Sequence, residues 1–160
     1  MPYNWLNTIP REIGYYIAGF VDGEGSFNIS LRQKSDYHLK WQVVLSFNVS
    51  QKEPTMLYLI KKHLGCGIIK VRKDGLLSYD VTNPVAIVEK VLPFFKKYGF
   101  LSSNKKKNFS IFRQASKLMS EKAHLNKEGL DKILELREKI NEGKGRTRKY
   151  NINDVRNSFI

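Results

Sequence analysis

The sequence has little cysteine or histidine and no long apolar run. Cys66 is the one cysteine, so no disulfide can form within the chain, which fits a reducing compartment. The three histidines, His38, His63 and His124, are scattered and match no zinc-binding spacing. No stretch approaches the roughly 18 apolar residues that a membrane span needs. We therefore expect a protein without disulfides, zinc or membrane spans.

Targeting signals, nucleotide loops and internal repeats are also missing. Residues 1–11 lack a charged segment followed by an apolar one, and they are not rich in arginine and serine. No glycine-rich phosphate loop of the Walker type is present, and no segment repeats another. We expect a protein that is not secreted, uses no small-molecule cofactor and contains one copy of its structural unit.

Acidic residues are scarce, with 15 Asp and Glu against 28 Lys and Arg, which gives a net charge of +13. Such a charge favours a polyanionic partner, either nucleic acid or an acidic membrane surface. A membrane partner calls for a basic amphipathic helix, and the sequence has no strong one. An apolar fraction of 41% and an aromatic fraction of 12% indicate a folded domain. Nucleic acid is therefore the favoured partner.

Residues 10–22 predict a helix because apolar side chains recur at intervals of three and four. Alternating residues predict strands at 26–34 and 41–50, each with one buried and one polar face. The remaining elements are predicted at about 53–64, 68–72, 77–82, 85–98, 105–119 and 127–142. This order predicts one α+β domain over residues 1–160, with a four-stranded antiparallel sheet, helices on one face and a basic tail from about 143.

The segment IAGFVDGEG, from Ile17 to Gly25, joins the first predicted helix to the first strand. It closely resembles the LAGLIDADG motif of homing endonucleases, and the strand that follows at Ser26 agrees with that family. The resemblance covers nearly the whole chain. It implies an αββαββα core whose open sheet face forms a DNA-binding saddle, with extra C-terminal helices. Asp22, inside the helix end, is expected to be structural.

Small residues in the motif helix need a reason, since a glycine costs roughly 1 kcal/mol relative to alanine in a helix. In the family the motif helices of two units pack together, which implies a dimer interface at Gly14, Ala18 and Gly19. Two acids then meet at the axis, and divalent cations offset their repulsion. The resemblance implies that Glu24 and the backbone carbonyl of Gly23 bind Mg²⁺, with Mn²⁺ or Ca²⁺ able to occupy the same place. The number of ions stays open.

Two further segments resemble catalytic parts of the family. The stretch from Ser46 to Lys52 resembles a segment that ends in a water-positioning glutamine, which implies this role for Gln51. The stretch around Asn108 resembles the family pattern Lys-x-x-Asp-Phe, with Asn in place of Asp. It implies that Lys105 stabilises charge near the cut, with Lys106 as the alternative register.

Polar residues on the open sheet face have the chemistry needed to read base edges in the major groove. Arginine and lysine donate to guanine, and asparagine and glutamine pair with adenine. The basic tail is expected to contact phosphates, which adds affinity without sequence information. The DNA-contacting residues predicted on the sheet and in the tail are Asn28, Ser30, Arg32, Lys34, Tyr37, Gln42, Ser46, Asn48, Arg72, Asp74, Tyr79, Lys144, Arg146, Arg148 and Lys149.

The resemblance predicts an intron-encoded, metal-dependent endonuclease that acts as a homodimer and cuts both strands of a long, near-palindromic double-stranded DNA site. It also implies an organelle or a microbial cytoplasm as the place of action. Two alternatives use the same fold: a maturase that binds intron RNA, and a DNA-binding protein that does not cut. A third, a restriction-type nuclease based on Glu142 and Lys144, lacks the strand context for that chemistry.

Overall fold

The computed structural model describes residues 4–142 and 148–159, and it is α+β as predicted. A 3-10 turn, Trp5–Thr8, precedes the main elements. These are α1 (Arg11–Glu24), β1 (Gly25–Gln33), β2 (Trp41–Gln51), α2 (Thr55–Leu64), β3 (Ile68–Val71), β4 (Leu77–Val81), α3 (Pro84–Ala86), a π-helical turn (Ile87–Val91), α4 (Leu92–Tyr98), α5 (Ser103–Ser120), a second 3-10 turn (Ala123–Leu125), α6 (Lys127–Lys139) and α7 (Ile152–Asn157). Within the described ranges no helix is long and apolar enough to cross a membrane.

The four strands form one sheet in the order β1-β2-β4-β3, and the β2–β4 and β3–β4 pairs are antiparallel. The chain groups into two compact units. The first comprises the N-terminal residues up to Ser26 together with Phe47–Lys106, and the second comprises Phe27–Ser46 together with the chain from Lys107 onward. The prediction of one domain over the whole chain stays a prediction.

The core of the first unit follows from alternation along β2 and β4. Phe47 lies opposite Val81 and Val49 opposite Tyr79, and all four side chains are buried. Burying each such side chain contributes roughly 1.5–3 kcal/mol. The apolar faces of α1, α2 and α4 add buried residues to this unit, including Ile17, Val21, Leu57, Ile60, Phe94 and Phe95.

The helix predicted at 85–98 contains a π-helical turn, Ile87–Val91, between α3 and α4. Pro93 lies in the first turn of α4. Proline has no backbone N–H, and its ring clashes with the carbonyl four residues earlier. A wider π turn directly before the proline accommodates both effects without ending the helix.

Gly14 packs against an aromatic ring of the same unit. A Cβ added at Gly14 would lie 2.2 Å from Cζ of Tyr98, whereas one added at Gly19 would meet nothing within 4 Å. We expect Gly14→Ala to destabilise the protein by roughly 2–4 kcal/mol, because an overpacked core must shift side chains or backbone. Ser110→Ala, at an exposed position of α5, is the control and should leave stability unchanged or raise it slightly, because alanine favours a helix more than serine does. Thermal unfolding measures both, and equal melting temperatures would contradict the packing role of Gly14.

The core of the second unit is aromatic. Phe27 packs against Phe109 and Phe112, with ring centroids 5.3 and 5.0 Å away. Trp41 lies 5.0 Å from the ring of Tyr150, and its indole N–H donates to Ser158 Oγ at 2.9 Å. These contacts hold the C-terminal residues of this unit against β2.

Helix α7 lies in the segment that the sequence suggested was only a basic tail. Its start is fixed by a capping box, in which Asn151 and Asp154 each bond the other's backbone N–H. The Asn-x-x-Asp pattern was a visible start signal. Helix α6 ends at Lys139, before the predicted 142, because Ile140 is extended and Asn141 has a φ of 55°.

Candidate active site

Helix α1 ends at Glu24, where the N–H of Gly25 still donates to the carbonyl of Val21. Gly23 and Glu24 are both exposed. Among residues 4–142 and 148–159, no hydrogen bond or ion pair engages the Glu24 carboxylate. The same residues contain no group of three His, Cys, Asp or Glu side chains able to hold a metal ion. One chain therefore presents a single accessible acid at this helix end.

Lys105 is brought to the same helix end. Its side chain is buried, and its Nζ donates a hydrogen bond to the backbone carbonyl of Gly25, the residue after Glu24. Lys106, the alternative register, is exposed. Burying an ammonium costs free energy unless it is hydrogen-bonded. The position of Lys105 in the first turn of α5 thus places a positive charge beside the motif acid.

Asp22 joins α1 to the start of α5. Its Oδ2 accepts from the backbone N–H groups of Leu101 and Ser102 at 3.1 Å each, and its Oδ1 accepts from the Ser102 hydroxyl at 2.5 Å. Ser102 Oγ in turn accepts from the N–H of Lys105 at 3.2 Å. Burial opposes ionisation, yet these hydrogen bonds and the charge of Lys105 outweigh it and lower the pKa of the Asp22 carboxyl. These bonds tie the end of α1 to the start of α5, and this is a structural role of the kind expected for Asp22.

We expect Asp22→Asn to destabilise the protein by roughly 1–3 kcal/mol at pH 7, because hydrogen bonds to a charged acceptor are stronger than neutral ones. Because the pKa of Asp22 is lowered in the folded protein, this stabilisation is fully present above the ordinary carboxyl pKa of 3.8. It is lost as the pH falls through the pKa that Asp22 has in the folded protein. The gap in melting temperature between wild type and variant should therefore narrow as pH falls below 3.8. Asp36→Asn, in an exposed loop, is the control. A gap of equal size at pH 7 and pH 2.5 would contradict a charge-dependent role.

Gln51 is the last residue of β2, where it lies opposite Leu77 of β4, and it is half-buried. In the described part of the chain no hydrogen bond joins its side chain to Glu24. The arrangement places Gln51 at the end of a central strand, and its role in positioning water stays a prediction.

The hairpin between β3 and β4 carries two of the predicted DNA contacts. Arg72 is exposed, lies 3.1 Å from a carboxylate oxygen of Asp74, and donates to Ser50 Oγ at 3.4 Å. Asp74 also accepts from the N–H of Leu76 at 3.1 Å. Asp74 therefore stabilises the turn and orients Arg72. A further predicted contact, Asn48 of β2, donates a hydrogen bond to Asp80.

The prediction that Tyr79 contacts DNA was wrong. Tyr79 is fully buried opposite Val49, and its hydroxyl donates to the carbonyl of Cys66 at 2.7 Å. Burial raises the pKa of its phenol. The polar residues that alternate with Tyr79 on β4 are Ser78 and Asp80, and both are themselves buried. Strict alternation from Leu77 would have separated these two from Tyr79.

In the second unit the predicted face is only partly open. Asn28 is 5% exposed, and its Oδ1 accepts from Asn141 Nδ2 at 3.3 Å, so its expected solvent exposure was wrong. Arg32 and Lys34 are exposed, and the N–H of Lys34 donates to the carbonyl of Lys40 at 2.9 Å to close the loop. The half-buried predicted residues of this unit are Ser30, Tyr37, Gln42 and Ser46.

The predicted phosphate contacts of the tail have different outcomes. Lys144 and Arg146 lie outside the described residues. Arg148 is half-buried and donates to the carbonyl of Arg137 at 2.5 Å and to Glu138 at 3.3 Å. Its guanidinium therefore ties α6 to the chain that follows, and its prediction as a phosphate contact was wrong. Lys149 is exposed, 5.3 Å from the Tyr150 ring.

Two of the three predicted dimer residues are buried within their own protomer. Gly14 contacts Tyr98 and Ala18 is 3% exposed, so both assignments were wrong. Gly19 is exposed. It lies on the same side of α1 as Tyr16, which is 62% exposed, and Gly23, since three- and four-residue spacings share a helix face.

The fold and the site define an α+β protein in which an acid-tipped helix leads into an antiparallel sheet, an architecture suited to nuclease chemistry. The family model for LAGLIDADG endonuclease matches residues 17–116, which is 100 of the 160 residues. The chain belongs to this family. The predicted fold and motif are confirmed by these matches.

Known relatives and structures agree with the family. "Probable intron-encoded endonuclease 3" of Neurospora crassa is 34% identical over 145 residues, covering 88% of this chain and 27% of the relative. The homing endonuclease I-TnaI has a TM-score of 0.79 and 28% identity, covering 91% of this chain and 95% of that one. I-SmaMI, solved bound to an uncleaved DNA target with calcium ions, has a TM-score of 0.77 and 34% identity, covering 81% and 45%. The chain thus spans about a quarter of the Neurospora relative and less than half of I-SmaMI.

Proposed function

We propose that the protein is a site-specific DNA endonuclease that hydrolyses phosphodiester bonds on both strands of a long, near-palindromic target. One observation carries the proposal: the exposed Glu24 carboxylate ends the motif helix beside a carbonyl that holds the Lys105 ammonium. Relatives named as intron-encoded endonucleases support it. So does the similarity to I-SmaMI, which was solved on its DNA target.

A divalent metal fits the donors at this helix end. The Glu24 carboxylate and the Gly23 carbonyl offer only oxygen, the ligand type that Mg²⁺ prefers, and both residues are exposed. Calcium ions accompany the DNA complex of I-SmaMI. A divalent ion held there would supply Lewis-acid stabilisation of the phosphate charge. The Lys105 ammonium stabilises negative charge on the reacting phosphate, and Gln51 orients the attacking water.

A second copy of the chain completes the site. One chain supplies one motif acid, and two cuts require two. Tyr16, Gly19 and Gly23 form an exposed stripe on α1, and a Cβ added at Gly19 or Gly23 would meet nothing within 4 Å. Such a stripe lets two helix backbones approach closely. A twofold dimer reads a near-palindromic site, and with twice +13 its net charge is +26.

Each unit has exposed residues that suit DNA contact. Exposed Arg32, Lys34 and Arg72 suit guanine edges, and exposed Lys149 suits phosphates. Intron-encoded relatives favour a gene inside an intron. On this proposal the protein acts in an organelle or a microbial cytoplasm.

The test is a plasmid library with randomised near-palindromic sites, incubated with the purified protein in Mg²⁺ or in EDTA. We expect double-strand cuts at one family of sites in Mg²⁺ and none in EDTA. Sedimentation of the DNA-free protein should give twice the 18.6 kDa chain mass. Selective DNA binding without cutting in either buffer would instead indicate a non-cleaving DNA-binding protein. Selective binding of intron RNA would indicate a maturase.

A further inference from the structure

An exposed isoleucine lies on the sheet face of the first unit that is turned away from the core. Ile68 begins β3 and lies directly opposite Asp80 of β4. The next residue, Ile69, lies opposite Tyr79, which is fully buried. Successive side chains of a strand point to opposite faces, so Ile68 points away from the core. It is 59% exposed, and it thus presents an apolar side chain on the face proposed to meet DNA.

Ile68 is the first of three residues that alternate along this face, and the other two are cations. Lys70 lies opposite Ser78 of β4, and Ser50 of β2 lies opposite the same serine. Arg72 follows β3 and donates to Ser50 Oγ at 3.4 Å, so its guanidinium also lies on this face. Both cations are exposed. Ile68 is therefore the apolar end of a row that is otherwise basic.

The two cations favour the approach of DNA along this row. Asp80 lies 3.2 Å from Lys70 Nζ, and Asp74 lies 3.1 Å from the Arg72 guanidinium, so each cation is oriented by an acid. An ammonium has three donors and a guanidinium five, and both cations therefore retain donors for phosphates and base edges. A polyanion attracted to these charges would cover Ile68 as well.

Isoleucine is not required at this position by the strand. A β-branched side chain favours a strand, but threonine has the same branching and exposes less apolar area to water. Because most of Ile68 is exposed, its side chain contributes little hydrophobic stabilisation to the folded protein. That contribution becomes available when a ligand covers the side chain. In the major groove the apolar group of a base pair is the C5-methyl group of thymine.

We infer that Ile68 is a specificity-determining residue that contacts the C5-methyl group of one thymine in each half-site. The inference rests on the DNA-binding function proposed above, and it adds an apolar contact to the polar and basic contacts proposed there. Removing one methyl group from water corresponds to about a fourfold change in affinity. The preference for thymine at this position is therefore expected to be modest, and it requires no hydrogen bond from Ile68.

The test uses a DNA site selected by the wild type in EDTA, where no cutting occurs. Each thymine of one half-site is replaced in turn by deoxyuridine, which lacks the C5-methyl group and keeps the base pairing. At one position the wild type should bind the deoxyuridine site about fourfold more weakly than the thymine site. Ile68→Ala should bind the two sites equally, because a double-mutant cycle isolates the contact between the two groups.

Val71→Ala is the matched control. Val71 is a β-branched residue of the same strand and is 73% exposed, but it lies opposite Leu77 and, three residues from Ile68, points to the other face. This variant should keep the fourfold difference between thymine and deoxyuridine. Thermal unfolding checks that both variants are folded. Ile68→Thr, which keeps the branching but lacks the ethyl group, replaces Ile68→Ala in the comparison if the alanine variant unfolds.

Three results would overturn the inference while the proposed function stands. The first is selective binding by the wild type without an effect of deoxyuridine at any position. The second is an effect of deoxyuridine that persists in Ile68→Ala at every position, which would assign the methyl contact to another residue. The third is a loss of the effect in Val71→Ala as well, which would make it a general property of β3. Absence of any selective DNA binding by the wild type would overturn the proposed function itself.

Discussion

Replacing Glu24 by Gln is expected to lower the rate of DNA cleavage about a thousandfold or more, while sequence-selective binding survives. The carboxylate is the one acid that each chain presents at the end of α1, and it is exposed. Glutamine keeps its size but removes the charge with which Glu24 is proposed to bind a divalent cation. Loss of Lewis-acid stabilisation is worth several kcal/mol in the transition state, and about 1.4 kcal/mol corresponds to a factor of ten in rate. Single-turnover cleavage of a selected site measures the effect.

The same change should leave binding in EDTA equal or tighter. An uncompensated carboxylate near the phosphate backbone repels DNA, so its removal lowers that repulsion. Glu12→Gln, in the first turn of the same helix and also exposed, is the matched control and should cut at the wild-type rate. If Glu24→Gln cleaves as fast as Glu12→Gln, the acid takes no part in the reaction and the proposed site is wrong.

Local patterns in the sequence were sufficient for the elements and for the motif. Alternation placed β1 and β2 within one residue of their observed bounds, and apolar spacing placed α1 and α2. The motif from Ile17 to Gly25 was correctly read as the end of a helix that leads into a strand. Lys105, the lysine preferred in the sequence, donates to the carbonyl of Gly25 at the motif end, and its catalytic role stays a prediction. Each of these inferences depends on neighbours in the sequence.

The errors concern contacts between residues far apart in the sequence. A glycine in a helix, such as Gly14, indicates a helix–helix interface, yet the ring of Tyr98 occupies the space beside it. Arg148 belongs to a basic run, yet carbonyls at the end of α6 accept its hydrogen bonds. Asn28 is polar in an alternating strand, yet Asn141 covers it. Composition does not reveal which residue, distant in the sequence, will contact or hydrogen-bond a given side chain.

Asp80 was missed for a related reason. Aspartate has a low propensity for strands, so its presence in β4 does not indicate a role until its partners are known. These partners, Asn48 and Lys70, belong to two other strands. The pairing register brings the three together. Sheet registers are set by the whole pattern of buried residues, so such a cluster becomes visible only in the folded chain.

Lys105→Met should lower the cleavage rate about a hundredfold, with binding of the selected site changed by less than about tenfold. The ammonium lies beside the residue that follows the motif acid, in a buried position where water screens its charge weakly. A donor aimed at developing negative charge contributes about 10²–10³ in rate when it is removed alone. Methionine retains the apolar stem that fills the buried space, so the loss is one of charge and hydrogen bonding.

Lys106→Met, one residue along α5 and exposed, separates that effect from general attraction to DNA. It removes the same charge, so it should weaken binding through phosphate contact and counterion release, and it should flatten the salt dependence of binding while leaving the rate at saturating DNA unchanged. The two variants thus divide the lysine run into one residue that acts on the rate and one that acts on affinity. If Lys106→Met slowed saturated cleavage and Lys105→Met did not, Lys105 would be a structural lysine that ties α5 to the carbonyl of Gly25. The reacting phosphate would then lie on the exposed side of that helix.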